Sequence, residues 1–105
     1  MTAKEFLTNL PSQVPDGMLD DVETNFHFDI SGEGGGQFAI EVSNGKMTVH
    51  ESFIGVEKCK ITGSQDNFIK VLSGKLNPMM AVLTGKIKIS NQGELIKYAK
   101  VFGLM

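Results

Sequence analysis

The feature that most constrains this chain is a strict period of two through residues 22–30. Val22, Thr24, Phe26, Phe28 and Ile30 alternate with Glu23, Asn25, His27 and Asp29, so an extended backbone gathers the large apolar side chains on one face. A helix would scatter the same residues around its circumference. The run is therefore expected to be a half-buried strand. The SGEGGG stretch after it supplies positions of positive φ, and Phe38, Ile40 and Val42 resume the alternation, which predicts a hairpin. Asn44-Gly45 is a type I′ turn signal, and Met47 with Val49 makes a third strand. Lys58, Lys60 and Thr62 alternate with Cys59 and Ile61 as a fourth strand, and residues 86–90 form a fifth.

Between and around these strands the period changes to that of helices. Thr2 and Glu5 have capping-box spacing ahead of Phe6, Leu7 and Leu10, which predicts a short helix ending before Pro11. Pro11, Pro15, Asp16 and Gly17 mark a loop, with a helical turn beginning at Met18 and Leu19. Ser64 caps a helix through Ser73 that buries Phe68, Ile69, Val71 and Leu72 and stops at Gly74. Asn77 and Pro78 are the N-cap and first residue of another short helix, ended by Gly85. Residues 91–104 form a last helix carrying Leu95, Ile96, Ala99 and Phe102. Clean alternation leaves one sheet face wet and one apolar, and the helices must cover the apolar one. The expected class is a two-layer α+β fold.

Composition narrows the function. A length of 105 residues predicts one domain, residues 1–105, and 41% apolar with 21% charged residues is an ordinary globular balance. The net charge is −2 and every cationic side chain is Lys, so neither a field for nucleic acid nor an arginine clamp for phosphate is present. Nucleic acid is not an expected partner. A lone Cys59 cannot form an intrachain disulfide, and the amino-terminal residues lack the apolar run of a signal peptide, so a cytoplasmic location is expected. No apolar run approaches the roughly 18 residues of a membrane span. Membrane contact is expected to be peripheral at most, and the chain to be a monomer or weak homodimer.

No catalytic group, metal site or cofactor is expected. Gly34, Gly36 and Ala39 match a dinucleotide-loop spacing, but a strand and not a helix follows them. His27 and His50 fall on the polar side of their strands without zinc-site spacing, and read as solvated histidines. Cys59 points away from Lys58 and Lys60, which makes it a buried thiol and not an activated nucleophile. Asp20 and Asp21 are adjacent and diverge, and Ser64 and Ser73 have helix-boundary explanations. Lys58, Lys60, Lys86 and Lys88 read as a solvated sheet face, with at most weak attraction to anionic lipid.

The segment 74–89, GKLNPMMAVLTGKIKI, is the most informative. Leu76, Met79, Met80, Val82 and Leu83 make its helix apolar on most of its circumference, more than one flat sheet can bury. Adjacent flexible thioethers suit a wall that adapts to varied apolar partners. Here the chain resembles the sterol carrier protein 2 (SCP-2) sterol-binding domain family. Gly74, Lys75, Leu76, Asn77, Pro78, Ala81, Gly85, Lys86, Ile87, Lys88 and Ile89 fit its hallmark, and the order of strands from Phe26 through Val42 to the 64–74 helix fits as well. Gln37 stands where an aromatic is common, and SNQ replaces Gly-Asp after the last strand, with Asn91 able to cap.

The resemblance implies a five-stranded, mostly antiparallel sheet covered on one face by helices, an apolar tunnel between the layers, and no covalent chemistry. The ligand would be a fatty acid, a fatty-acyl lipid or a sterol-like molecule. The lipid-binding candidates are Leu72, Leu76, Met79, Met80, Leu83, Ile87, Phe102 and Leu104, with Phe28, Ile40 and Val49 as the sheet-side floor. The alternative is an accessory or dimerisation module, whose apolar groove receives a partner helix or the chain's own residues 102–105.

Overall fold

The computed structural model describes residues 1–15 and 17–98. The chain runs through α1 (Ala3–Gln13), β1 (Thr24–Ser31), β2 (Gly36–Ser43), β3 (Lys46–His50), β4 (Cys59–Ser64), α2 (Gln65–Leu72), α3 (Pro78–Leu83), β5 (Ile87–Ile89) and α4 (Gln92–Lys97). Asp16, Ala99, Phe102 and Leu104 lie outside the described residues. No helix among those described is long and apolar enough to cross a membrane.

The strands form one sheet in the order β3-β2-β1-β4-β5. Three neighbouring pairs are antiparallel, and β1 with β4 is parallel. Register lines up the apolar residues in rows. Val49, Ile40, Phe26 and Cys59 sit side by side across four strands, and Phe38, Phe28, Ile61 and Ile89 form the next row. Cross-strand neighbours of this kind are the unit that stabilises a sheet face. Asn44 and Gly45 take φ of 55° and 76°, as a type I′ turn between β2 and β3 requires.

The second face of the sheet is wet away from its centre, with Gln37, Glu41, Lys46, Thr48 and Lys88 exposed, but it is covered over β1, where Asn25 and His27 are buried. A parallel β4 must start on the far side of β1 from β3, so residues 51–58 cross the sheet on that face. The Asn25 side-chain amide donates to the Ile54 carbonyl at 2.8 Å, and His27 Nε2 lies 2.8 Å from the same oxygen. A carbonyl only accepts, so Nε2 carries the proton. Phe53 stacks on the imidazole with centroids 4.7 Å apart. His27 is consequently buried and not solvated. His50 is half-buried, its Nε2 3.6 Å from Glu41 Oε1.

Two helical boundaries also differ from expectation. The α1 helix continues through Pro11 to Gln13, although Pro removes one ladder hydrogen bond. Leu7 and Leu10 are buried and Val14 packs on the core, and this burial offsets the lost bond. Met18 and Leu19 occupy successive turns and not a helix, held by Met18 N–H to the Pro15 carbonyl and Asp20 N–H to the Gly17 carbonyl. The capping box is present, with Thr2 Oγ1 accepting from Glu5 N–H and Glu5 Oε1 from Thr2 N–H. Lys4 N–H donates to the Gly34 carbonyl, so the glycine loop serves to seat α1. A Cβ at Gly35 would collide with the Ile30 carbonyl.

Cys59 is fully buried in β4. Desolvation holds its thiol above the ordinary 9.0, against the opposing pull of hydrogen bonds from the Asn91 backbone and the Ser90 side chain. The folded state retains a proton that the unfolded chain releases, so this contribution is whole below pH 9.0 and is lost as pH rises through the raised native value. Unfolding free energy should therefore fall with pH in alkaline buffer, and Cys59→Ala should flatten that slope. Iodoacetamide should label the thiol only after denaturation. Rapid labelling of the native protein would contradict this.

Candidate apolar binding site

The site is built where α2 and α3 fold over the end of the sheet nearest β5. Ser64 Oγ accepts from Asn67 N–H at 3.1 Å and starts α2. At its other end the Lys75 and Leu76 N–H groups both donate to the Lys70 carbonyl, and Gly74 takes φ of 79°, the left-handed position that ends a helix. The chain restarts at once, because Asn77 Oδ1 accepts from both Met79 and Met80 N–H groups and Pro78 fills the first helical position. Gly85, with φ of 75°, closes α3, and Lys86 N–H donates to the Ala81 carbonyl. Two glycine-ended turns thus hold a six-residue helix against the sheet.

Between α2, α3 and the sheet lies an apolar cavity. Its sheet side is Phe28 of β1, Ile61 of β4, and Ile87 and Ile89 of β5; α2 contributes Phe68, Val71 and Leu72. Pro78 and Val82 close it from α3, Leu95 from α4 and Phe6 from α1. Phe68 meets Phe28 edge-on at 6.0 Å and Phe6 at 6.1 Å, so three rings brace one wall. Asn91 caps α4 by accepting from Glu94 N–H, and Thr24 Oγ1 donates to Glu94 Oε2 at 2.7 Å. These bonds tie the Leu95 wall to β1.

All eleven described lining side chains are hydrocarbon. None of these described side chains can donate or accept a hydrogen bond, or move a proton, so what they offer a ligand is the removal of apolar surface from water. The cavity volume is about 60 Å³, at the base of a cleft of about 560 Å³ that includes open solvent. The cavity itself has room for ~4 waters at ~15 Å³ each. A long-chain ligand must therefore spread the walls. Among the described residues, no three His, Cys, Asp or Glu side chains cluster to hold a metal.

Of the residues predicted from sequence, the structure brings Phe28, Leu72 and Ile87 together in this cavity. Leu76 is half-buried against the core beside it. Ile40 is fully buried in the Phe26 row, and Val49 is half-buried on β3. Met79, Met80 and Leu83 point outward, with exposures of 72%, 51% and 74%. Phe102 and Leu104 fall outside the described residues. Sequence reasoning did not select Phe6, Ile61, Phe68, Val71, Pro78, Val82, Ile89 or Leu95 as lining. Ile61 and Ile89 were legible as the apolar phase of their strands. Pro78 and Val82 share a face at i and i+4, but both sides of α3 are apolar and the pattern does not say which is inner.

The model of the SCP-2 sterol transfer family matches residues 3–104. Hydroxysteroid dehydrogenase-like protein 2 of Bos taurus is 33% identical over 98 residues, covering 88% of this chain and 23% of that protein. This chain thus spans less than a quarter of the length of such curated relatives. The solution structure of sterol carrier protein domain 2 of Helicoverpa armigera superposes with a TM-score of 0.73 at 25% identity, covering 94% of this chain and 81% of that one. Palmitated SCP2L2 of Aedes aegypti has the same fold, with a TM-score of 0.69 at 18% identity over 97% of this chain and 95% of that one.

Proposed function

Because this chain belongs to the SCP-2 sterol transfer family, we propose that it binds the apolar part of one lipid in the α2–α3 cavity and carries it without covalent chemistry. The observation that carries the reading is that every described lining side chain is hydrocarbon. Affinity then comes from buried area and selectivity from shape. Each buried methylene contributes about 0.8 kcal/mol, so a sixteen-carbon tail gains roughly 13 kcal/mol before costs. Ordering the tail and fixing its position offset much of that, leaving micromolar to nanomolar binding.

A fatty acid, a fatty-acyl lipid or a sterol-like molecule satisfies these requirements, with the polar end at the solvent-open side. The palmitated Aedes aegypti protein offers a precedent on the same fold. The wall that yields is α3, a six-residue helix between two glycine-ended turns. We place the carrier in the cytoplasm, where a single unpaired thiol such as Cys59 stays reduced.

Native purification followed by solvent extraction and mass spectrometry tests the reading. An acyl or sterol-like lipid near one per chain is expected. The outward Met79, Met80 and Leu83 favour a second reading, an accessory module that receives a partner helix. Extracts without lipid, no binding of a fluorescent fatty-acid probe and a stable dimer would support that second reading and sink the first.

A further inference from the structure

α3 has two working faces. Ala81 and Val82 turn inward, Ala81 fully buried and Val82 half-buried in the cavity wall, while Pro78 also lines the cavity but stays exposed. Met79, Met80 and Leu83 form a contiguous outer patch at i, i+1 and i+4, mostly in solvent. Grouped exposed apolar side chains of this size, as distinct from scattered ones, mark an interaction surface.

The charge around the patch selects its partner. Between Asn67 and Gly93 the chain has four lysines and no Asp or Glu, whereas the remainder has six lysines and all twelve carboxylates. A chain of net charge −2 thus carries a local excess of +4 in the stretch that contains α3. Lys70 sits in the last turn of α2, Lys75 just before α3 and Lys86 just after it, all exposed. None of the three is ion-paired to a described residue. Lys88 alternates with Ile87 and Ile89, which line the cavity, and so projects from the other sheet face.

We propose that the outer face of α3 docks on an anionic bilayer, placing the cavity wall at the lipid surface. Met and Leu side chains enter the acyl boundary while Lys70, Lys75 and Lys86 meet the headgroup charge. Flexible thioethers conform to an irregular lipid surface. A second copy of the chain is a poor occupant, because a two-fold contact of α3 on α3 would bring the same unpaired lysines together. Three apolar side chains also fall well short of the ~800 Å² per partner of a stable interface. The purpose of the contact, loading the cavity behind α3, rests on the lipid-carrier reading; the contact itself does not.

Flotation with phosphatidylcholine vesicles, with and without phosphatidylserine, tests the surface. The protein should float with phosphatidylserine vesicles and detach as salt is raised. Lys75→Gln with Lys86→Gln should weaken association about 25-fold, roughly fivefold for each lysine. Met79→Ser with Leu83→Ser should weaken it at least tenfold, about 1.4 kcal/mol. The chain has no Trp, so Met80→Trp is a single reporter whose emission should shift to the blue on these vesicles. Val56→Trp, at a site 88% exposed on the crossing segment, should not shift.

Association that ignores phosphatidylserine, or an equal shift from both reporters, overturns the proposal. So does a dimer of the unaltered protein that Met79→Ser with Leu83→Ser dissociates. Probe binding in vesicle-free solution is measured separately. Probe binding without flotation removes the docking surface and leaves the carrier; flotation without probe binding does the reverse.

Discussion

Val82→Trp is expected to lower affinity for a fluorescent fatty-acid probe by about two orders of magnitude. Val82 reaches the cavity from the inner face of α3, beside Pro78 one turn earlier. An indole there would occupy most of a space that holds only a few waters. Displacing three or four methylenes of a bound tail forfeits about 2.4–3.2 kcal/mol at 0.8 kcal/mol each, a factor of roughly 60–200. The cleft opens to solvent, so overpacking should cost near the lower end of the usual ~1–3 kcal/mol. Probe titration, with circular dichroism to verify folding, reads both effects. A folded variant with unchanged affinity would show that the ligand sits elsewhere.

The largest stability loss is expected at Phe26. Its side chain is fully buried in the centre of the sheet, between Ile40 and Cys59 in register. The ring lies 6.5 Å from Phe28 and meets Tyr98 edge-on at 6.4 Å. Phe26→Ala should therefore cost about 3–5 kcal/mol, a large part of the ~5–15 kcal/mol that holds a domain of this kind together. With a urea m-value of about 2 kcal/mol/M, the midpoint should fall by roughly 2 M. A loss below about 1 kcal/mol would mean that the neighbouring side chains close the gap and that this row is not the keystone.

The strands, the sheet face they share and the caps of the helices were legible in the amino-acid order. Period two can be satisfied in one way only, and Asn-Gly, Ser64, Asn77-Pro78 and the glycines at 74 and 85 each meet a local backbone requirement. The segment 74–89 likewise pointed to its family, because order and spacing survive where overall identity does not. Local propensity ends the first helix before Pro11, whereas buried Leu7 and Leu10 carry it past that residue.

Sequence by itself determined which residues are apolar, where the backbone turns and that the α3 segment has more greasy surface than a sheet can cover. Only the tertiary structure decided which surface of that helix is which. Val82 went inward and Met79 and Leu83 outward because the turns at Gly74 and Gly85 set the rotation of α3 about its axis, and a helix apolar all round contains no signal for that angle. The same holds for His27. Its place on the polar phase of β1 was readable, but its burial came from a connection that a parallel β4 forces across the sheet. Long-range topology, not the local pattern, chose what covers each face.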